Sequence, residues 1–122
     1  MEIGLTYTCT KVVSESDLAL NVGSGDMRVF ATPAMMALME EAAMKAVAPY
    51  LPEGSTTVGG HISSSHLHPT AEGRTVSATA TLMMEEGRKL TFKVKAEDEK
   101  GVIGEGEHLR FVVDRERFMS KL

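Results

Sequence analysis

The chain has 122 residues, the size of one ordinary domain, with a single cysteine and a formal net charge of −4. That acidic balance argues against broad nucleic-acid binding, which needs a basic surface to neutralise phosphates. The lone Cys9 excludes an internal disulfide, and between Thr8 and Thr10 it reads as a small buried apolar side chain.

Residues 1–4 show no basic stretch leading into an apolar one, so no signal peptide is expected. The longest apolar segment, residues 34–48, is interrupted by Glu40, Glu41 and Lys45 and is too short to cross a bilayer. The expectation is a cytoplasmic protein with no membrane or nucleic-acid partner. Repeats, low-complexity tracts and long linkers are lacking, and residues 1–122 are read as one domain.

Residues 5–13 predict a strand, with Leu5, Tyr7 and Cys9 alternating with Thr6, Thr8 and Thr10. Residues 14–27 are polar, carry Gly23 and Gly25, and predict a loop. Thr32-Pro33 predicts a helix start. Threonine is a good N-cap, and proline at the first helical position lacks only an N–H that would have no partner there. The helix is expected to reach Val47 or Ala48, where Pro49 and Pro52 end it. Strands are predicted over 56–67, 74–84, 89–97 and 102–113, with turns at 85–88 and 99–101. The order is strand, long helix, then four strands expected to form a meander. An α+β fold follows, a curved antiparallel sheet wrapped around one helix.

The helix is apolar on almost every side, so it is expected to be buried. Glu41 has Lys45 one turn on, the favourable order for an ion pair, and these two predict the solvated stripe. Glu40 has Met36, Ala37, Ala43 and Met44 as neighbours and no cation on its face. A carboxylate there either reaches water or a distant cation, or works as a base or nucleophile in a partly apolar cleft. Thr32 serves as a helix cap, and its hydroxyl would also sit beside free N–H groups able to hold a carbonyl oxygen.

Three of the four histidines fall in residues 57–69. If that stretch is one strand, His66 and His68 share a face and His61 points the other way. Gly59 and Gly60 allow close approach by a backbone or a ligand. His66 and His68 lack a third ligand for a metal site. A nucleophile elbow, a P-loop and a dinucleotide-type glycine motif are all missing. No metal and no cofactor are expected. His108, in the last strand, is read as structural or surface.

The segment FATPAMMALME over residues 30–40 resembles the start of the central helix in the fluoroacetyl-CoA thioesterase-like family of the hot-dog superfamily. Val58-Gly59-Gly60, then HLHPT over residues 66–70 with Gly73, resembles its second block. VIGEGEH over residues 102–108 with Arg110 resembles its final strand. The resemblance covers nearly the whole chain. It implies a hot-dog fold and an acyl-CoA hydrolase with Thr32, Glu40 and His66 as the catalytic set. Gly59, Gly60 and Arg110 are the implied substrate-binding positions. It also implies a homodimer with active sites at the subunit interface, possibly paired into a tetramer.

In the proposed chemistry Glu40, or a water it activates, attacks the thioester carbonyl. Thr32 and nearby N–H groups hold the acyl oxygen, and His66 orients the water or assists the departing thiolate. Residues 21–28 are shorter than the aromatic-rich lid of the fluoroacetyl enzyme, so a different or broader small acyl group is expected. Arg74, Arg88, Lys89, Arg110, Arg115, Arg117 and Lys121 are candidates to meet the phosphates of coenzyme A. A hydratase on the same fold, a non-catalytic module that binds acyl-CoA, and a ligand-free structural dimer are the competing readings.

Overall fold

The computed structural model describes residues 1–122. Strand β1 (Thr6–Val12) is followed by a short helix α1 (Ala19–Val22) and the long helix α2 (Thr32–Val47). Strands β2 (Ser55–Ser64), β3 (Thr75–Glu86), β4 (Lys89–Asp98) and β5 (Gly101–Asp114) follow, then a six-residue helix α3 (Arg115–Ser120). The five strands form one antiparallel sheet in the order β1-β3-β4-β5-β2.

The expected four-strand meander is therefore only a three-strand one. β3, β4 and β5 are joined by tight turns, but β2 pairs with β5 and leaves its chain neighbour β3 three places away. The crossing segment, residues 65–74, carries His66 over the end of the sheet. Two hydrogen bonds hold it to β5, from Ser65 N–H to the Glu105 carbonyl and from Leu67 N–H to the Ile103 carbonyl. Gly104 and Gly106 make that approach possible. A Cβ at Gly104 would lie 2.7 Å from both Met35 Sδ and the Ser65 carbonyl oxygen, and one at Gly106 would collide with the Ser63 carbonyl.

The sheet curls around α2. Val76, Ala78, Ala80 and Leu82 of β3 and Leu90, Phe92, Val94 and Ala96 of β4 face it and are buried, as their alternation predicts. From the helix come Met35, Leu38, Met39, Ala42, Ala43, Ala46 and Val47. Alanine at three of these positions lets the helix lie close to the sheet. Glu41 and Lys45 pair at 2.7 Å on the outer face, both partly exposed.

Local differences from the sequence expectation have simple causes. Residues 14–27 are not all loop. Asp17 caps its own turn by accepting from Ser14 N–H, and Lys11 pairs with it at 2.7 Å. Helix α3 is too short to show periodicity, and Asp114 starts it by accepting from Arg117 N–H. Thr32 is the first helical residue, while Ala31 is the cap, its carbonyl accepting the first helical bond from Met35 N–H.

Candidate active site

Freed from capping, the Thr32 hydroxyl lies 2.7 Å from His66 Nδ1. β2 ends at Ser64, so His66 stands on the crossing segment and does not share a strand face with His68. The His66 imidazole meets the edge of Phe30. Its Nε2 is buried and has no protein partner. Burial pulls the His66 pKa below 6.5 against an opposing backbone contact from His68, so the ring is neutral at neutral pH. The pair opens into a pocket of about 260 Å³ whose lining includes Ala19, Phe30, Thr32, His66, Leu67 and Pro69. A neutral imidazole beside a hydroxyl, with one ring nitrogen free, can hold a water or accept and return a proton.

Glu40 belongs to a second cluster. It stands eight residues after Thr32 on α2, about 12 Å along the axis at 1.5 Å per residue. Gly59 of β2 faces it, and a Cβ there would come within 2.7 Å of Glu40 Oε2. Gly59 is opposite Arg110 of β5, and Gly60 is the extra residue of a bulge, so the register resumes at His61 opposite Leu109. Gly60 consequently turns to the other face, where a Cβ would collide with the Phe111 ring. Gly59 is brought to Glu40, and Gly60 is not.

The cation missing from the helix comes from the sheet. Arg110 Nη1 lies 3.8 Å from Glu40 Oε2. Arg110 is buried and its other nitrogens are committed: Nε donates to Thr57 Oγ1 at 2.8 Å and Nη2 to the Thr57 carbonyl at 2.9 Å. Burial lowers its pKa from the ordinary arginine value and the Glu40 charge opposes that; a guanidinium remains charged. Its guanidinium faces inward and is not displayed to an external phosphate.

His108 completes this cluster, and the sequence reading had placed it outside any site. It is fully buried, beside Phe92 in the adjacent strand. Arginine can only donate, so the 3.1 Å contact from Arg110 Nη1 makes His108 Nε2 an acceptor. Nδ1 then carries the proton and donates to the His61 carbonyl at 2.7 Å. Burial first, then the Arg110 charge, hold its pKa below 6.5, against the His61 hydrogen bond and Glu40. Its Nε2 lies 3.8 Å from Glu40 Oε2. At that distance neither His108 nor Arg110 hydrogen-bonds the carboxylate. Glu40 is oriented by charge, its side chain 41% exposed, and its oxygens stay free to act on something else.

The comparisons agree with this architecture. Residues 13–116 match the family profile described as fluoroacetyl-CoA-specific thioesterase. The chain belongs to that family. A fluoroacetyl-CoA thioesterase of Streptantibioticus cattleyicolor is 44% identical over 94 residues, covering 77% of this chain and 68% of the relative. A structure of a fluoroacetyl-CoA-specific thioesterase variant in complex with fluoroacetate and CoA superposes with a TM-score of 0.91 at 36% identity, covering 97% of this chain and 99% of the other. A hot-dog-like protein from Thermanaerovibrio acidaminovorans gives a TM-score of 0.89 at 27% identity, covering 99% and 90%. The fold is the hot-dog fold of the thioesterases, which are thioester hydrolases. For a member of this thioesterase family, the notable feature is that one chain keeps Thr32 and His66 apart from Glu40.

Proposed function

We propose that the chain hydrolyses a small acyl-CoA thioester at sites built across a homodimer. Each site would combine Thr32 and His66 of one subunit with Glu40 of the other. The carrying observation is the separation just described. A hydroxyl–imidazole pair at the start of α2 lacks a carboxylate, and a carboxylate two turns along lacks a proton partner. Two-fold symmetry that set two α2 helices antiparallel would supply both deficits at once.

Glu40 attacks the thioester carbonyl or deprotonates the water that does. The atom balance is the same on either route: the C–S bond breaks, water supplies OH to the acyl carbon, and the thiolate takes the remaining proton. Thr32, at the N-terminus of α2, donates to the carbonyl oxygen as negative charge develops. His66 is neutral and can orient the water through Nε2. Gly59 leaves room for the carboxylate, and the Arg110 charge 3.8 Å away directs it. Residues 21–28 cover little of the Thr32 pocket, so a small acyl group other than fluoroacetyl fits the reading.

The test is thiol release from a panel of short, medium and aromatic acyl-CoAs, with wild type and Glu40→Gln compared. Turnover of at least one ester, lost by about 10²-fold or more in Glu40→Gln, supports the reading. If wild type hydrolyses no ester while CoA esters raise its melting temperature, the chain is a binding module and Glu40 is not a catalyst.

A further inference from the structure

Each guanidinium nitrogen of Arg110 has a fixed acceptor. Nε and Nη2 are held by the Thr57 hydroxyl and carbonyl. Nη1, the corner that faces Glu40, is held by His108 Nε2 at 3.1 Å. The three side chains converge on one spot. A Cβ at Gly59 would lie 2.7 Å from Glu40 Oε2, 3.4 Å from His108 Cε1 and 3.6 Å from Arg110 Nη1. Yet Arg110 Nη1 stays 3.8 Å from Glu40 Oε2. An arginine and a carboxylate that meet freely close to about 2.7–2.9 Å, often through two parallel hydrogen bonds. This pair is held apart.

We propose that His108 is a positioning residue for the hydrolysis: by accepting the Nη1 hydrogen it holds Arg110 back from Glu40 and leaves the carboxylate oxygens free for the thioester. The proposal rests on the hydrolase reading above.

His108 is itself locked for this task. Its Nδ1 donates to the His61 carbonyl at 2.7 Å, which fixes Nε2 as the bare nitrogen. Phe92 lies beside the ring, with centroids 6.3 Å apart, and the whole side chain is buried. A buried guanidinium N–H is costly to leave without an acceptor. Once His108 Nε2 is gone, Glu40 Oε2 is within reach after a movement of about 1 Å, the closure from 3.8 Å to an ordinary ion-pair distance. Such closure ties up a carboxylate oxygen and turns it toward the sheet. A displacement of about 1 Å at a reacting group costs up to about 10²-fold in rate.

Two substitutions separate this role from a merely structural one. Asparagine places its amide near the Nδ1 position, so it keeps a donor for the His61 carbonyl and loses the acceptor for Arg110. Glutamine reaches the Nε2 position, where its oxygen accepts from Arg110, and gives up the ring.

Thiol release by wild type, His108→Asn and His108→Gln is measured on the best acyl-CoA substrate and normalised to the folded fraction from melting curves. His108→Asn is expected to lose about tenfold or more in kcat, with KM within about threefold of wild type. His108→Gln is expected to regain most of that loss. Equal losses in the two variants, or a loss confined to KM, overturn the role. If His108→Asn does not fold, His108→Gln decides alone: kcat within about threefold of wild type supports the role, and a loss of about tenfold overturns it. A crystal structure of His108→Asn gives a second readout that needs no turnover. Arg110 Nη1 is expected within about 3.0 Å of a Glu40 oxygen. A separation still near 3.8 Å overturns the proposal even if wild type hydrolyses no ester, so this role and the hydrolase reading fail separately.

Discussion

Thr32 Oγ1 and His66 Nδ1 meet at 2.7 Å across 34 residues of sequence. The bond joins the first residue of α2 to the segment that crosses the sheet end, and it leaves the buried Nε2 of His66 without a partner. Since the hydroxyl caps no helix N–H, its removal should be a loss of chemistry and not of structure. Thr32→Val is expected to lower kcat/KM by about 10²-fold while shifting unfolding free energy by no more than about 0.5 kcal/mol. Thiol-release kinetics and urea unfolding on the same preparation check both halves.

The two adjacent glycines should separate in their effects. A Cβ at Gly59 would press on Glu40 Oε2, the free end of a flexible side chain. Gly59→Ala is expected to fold normally and lose at least about tenfold in activity, as Glu40 is displaced. A Cβ at Gly60 would meet the Phe111 ring instead. Gly60→Ala is expected to lower stability by about 1–3 kcal/mol through overpacking. A reversed pattern in activity and melting measurements would show that the bulge does not orient them as described.

His108 is expected to carry structural weight out of proportion to its place in the sequence. His108→Leu removes the donor to the His61 carbonyl and the acceptor for Arg110 Nη1. Leaving those groups without partners should cost about 1–3 kcal/mol in chemical denaturation. Arg110 would also lose one of its anchors beside Glu40, so activity should fall in the fraction that remains folded.

The same histidines set a pH dependence of stability. His66 and His108 have folded pKa values below 6.5, so the unfolded chain binds more protons between the folded values and 6.5. Stability from keeping them neutral is present above 6.5 and is lost as pH falls below it. Asp17 and Asp98 act in a different window. Burial raises both, but hydrogen bonds and nearby lysines outweigh it and hold them below 3.8, so their contribution fades only as pH falls below that value. Melting temperature should therefore drop between pH 7 and pH 5, before the aspartates titrate. His108→Gln, measured over the same range, should flatten part of that drop.

Much of this was legible from residue order. Alternation in residues 76–82 and 90–96 set the inner face of the sheet, and the apolar helix with its Glu41–Lys45 stripe was read correctly. What periodicity could not carry was pairing between distant segments. Nothing in β2 alone says that it lies beside β5, so the source of the cation facing Glu40 was invisible. His108 and Arg110 share a face by alternation, and Glu40 was known to need a partner. Joining those two facts required the register of Gly59 opposite Arg110. Thr32 was misplaced by one residue because threonine before proline fits the cap and the first helical position almost equally well. The hydroxyl's contact with His66 distinguishes them.

The central claim is that Glu40 of one subunit works with Thr32 and His66 of the other. Subunit complementation tests it most directly. Thr32→Val and Glu40→Gln chains, each inactive alone, are mixed, unfolded and refolded together, and thiol release is measured on the best acyl-CoA substrate. A shared site predicts recovery to about a quarter of wild-type activity, from one intact site in the half of the dimers that are hybrid. If hybrid dimers form and remain as inactive as either parent, the three residues do not act across the subunit boundary and the account is wrong.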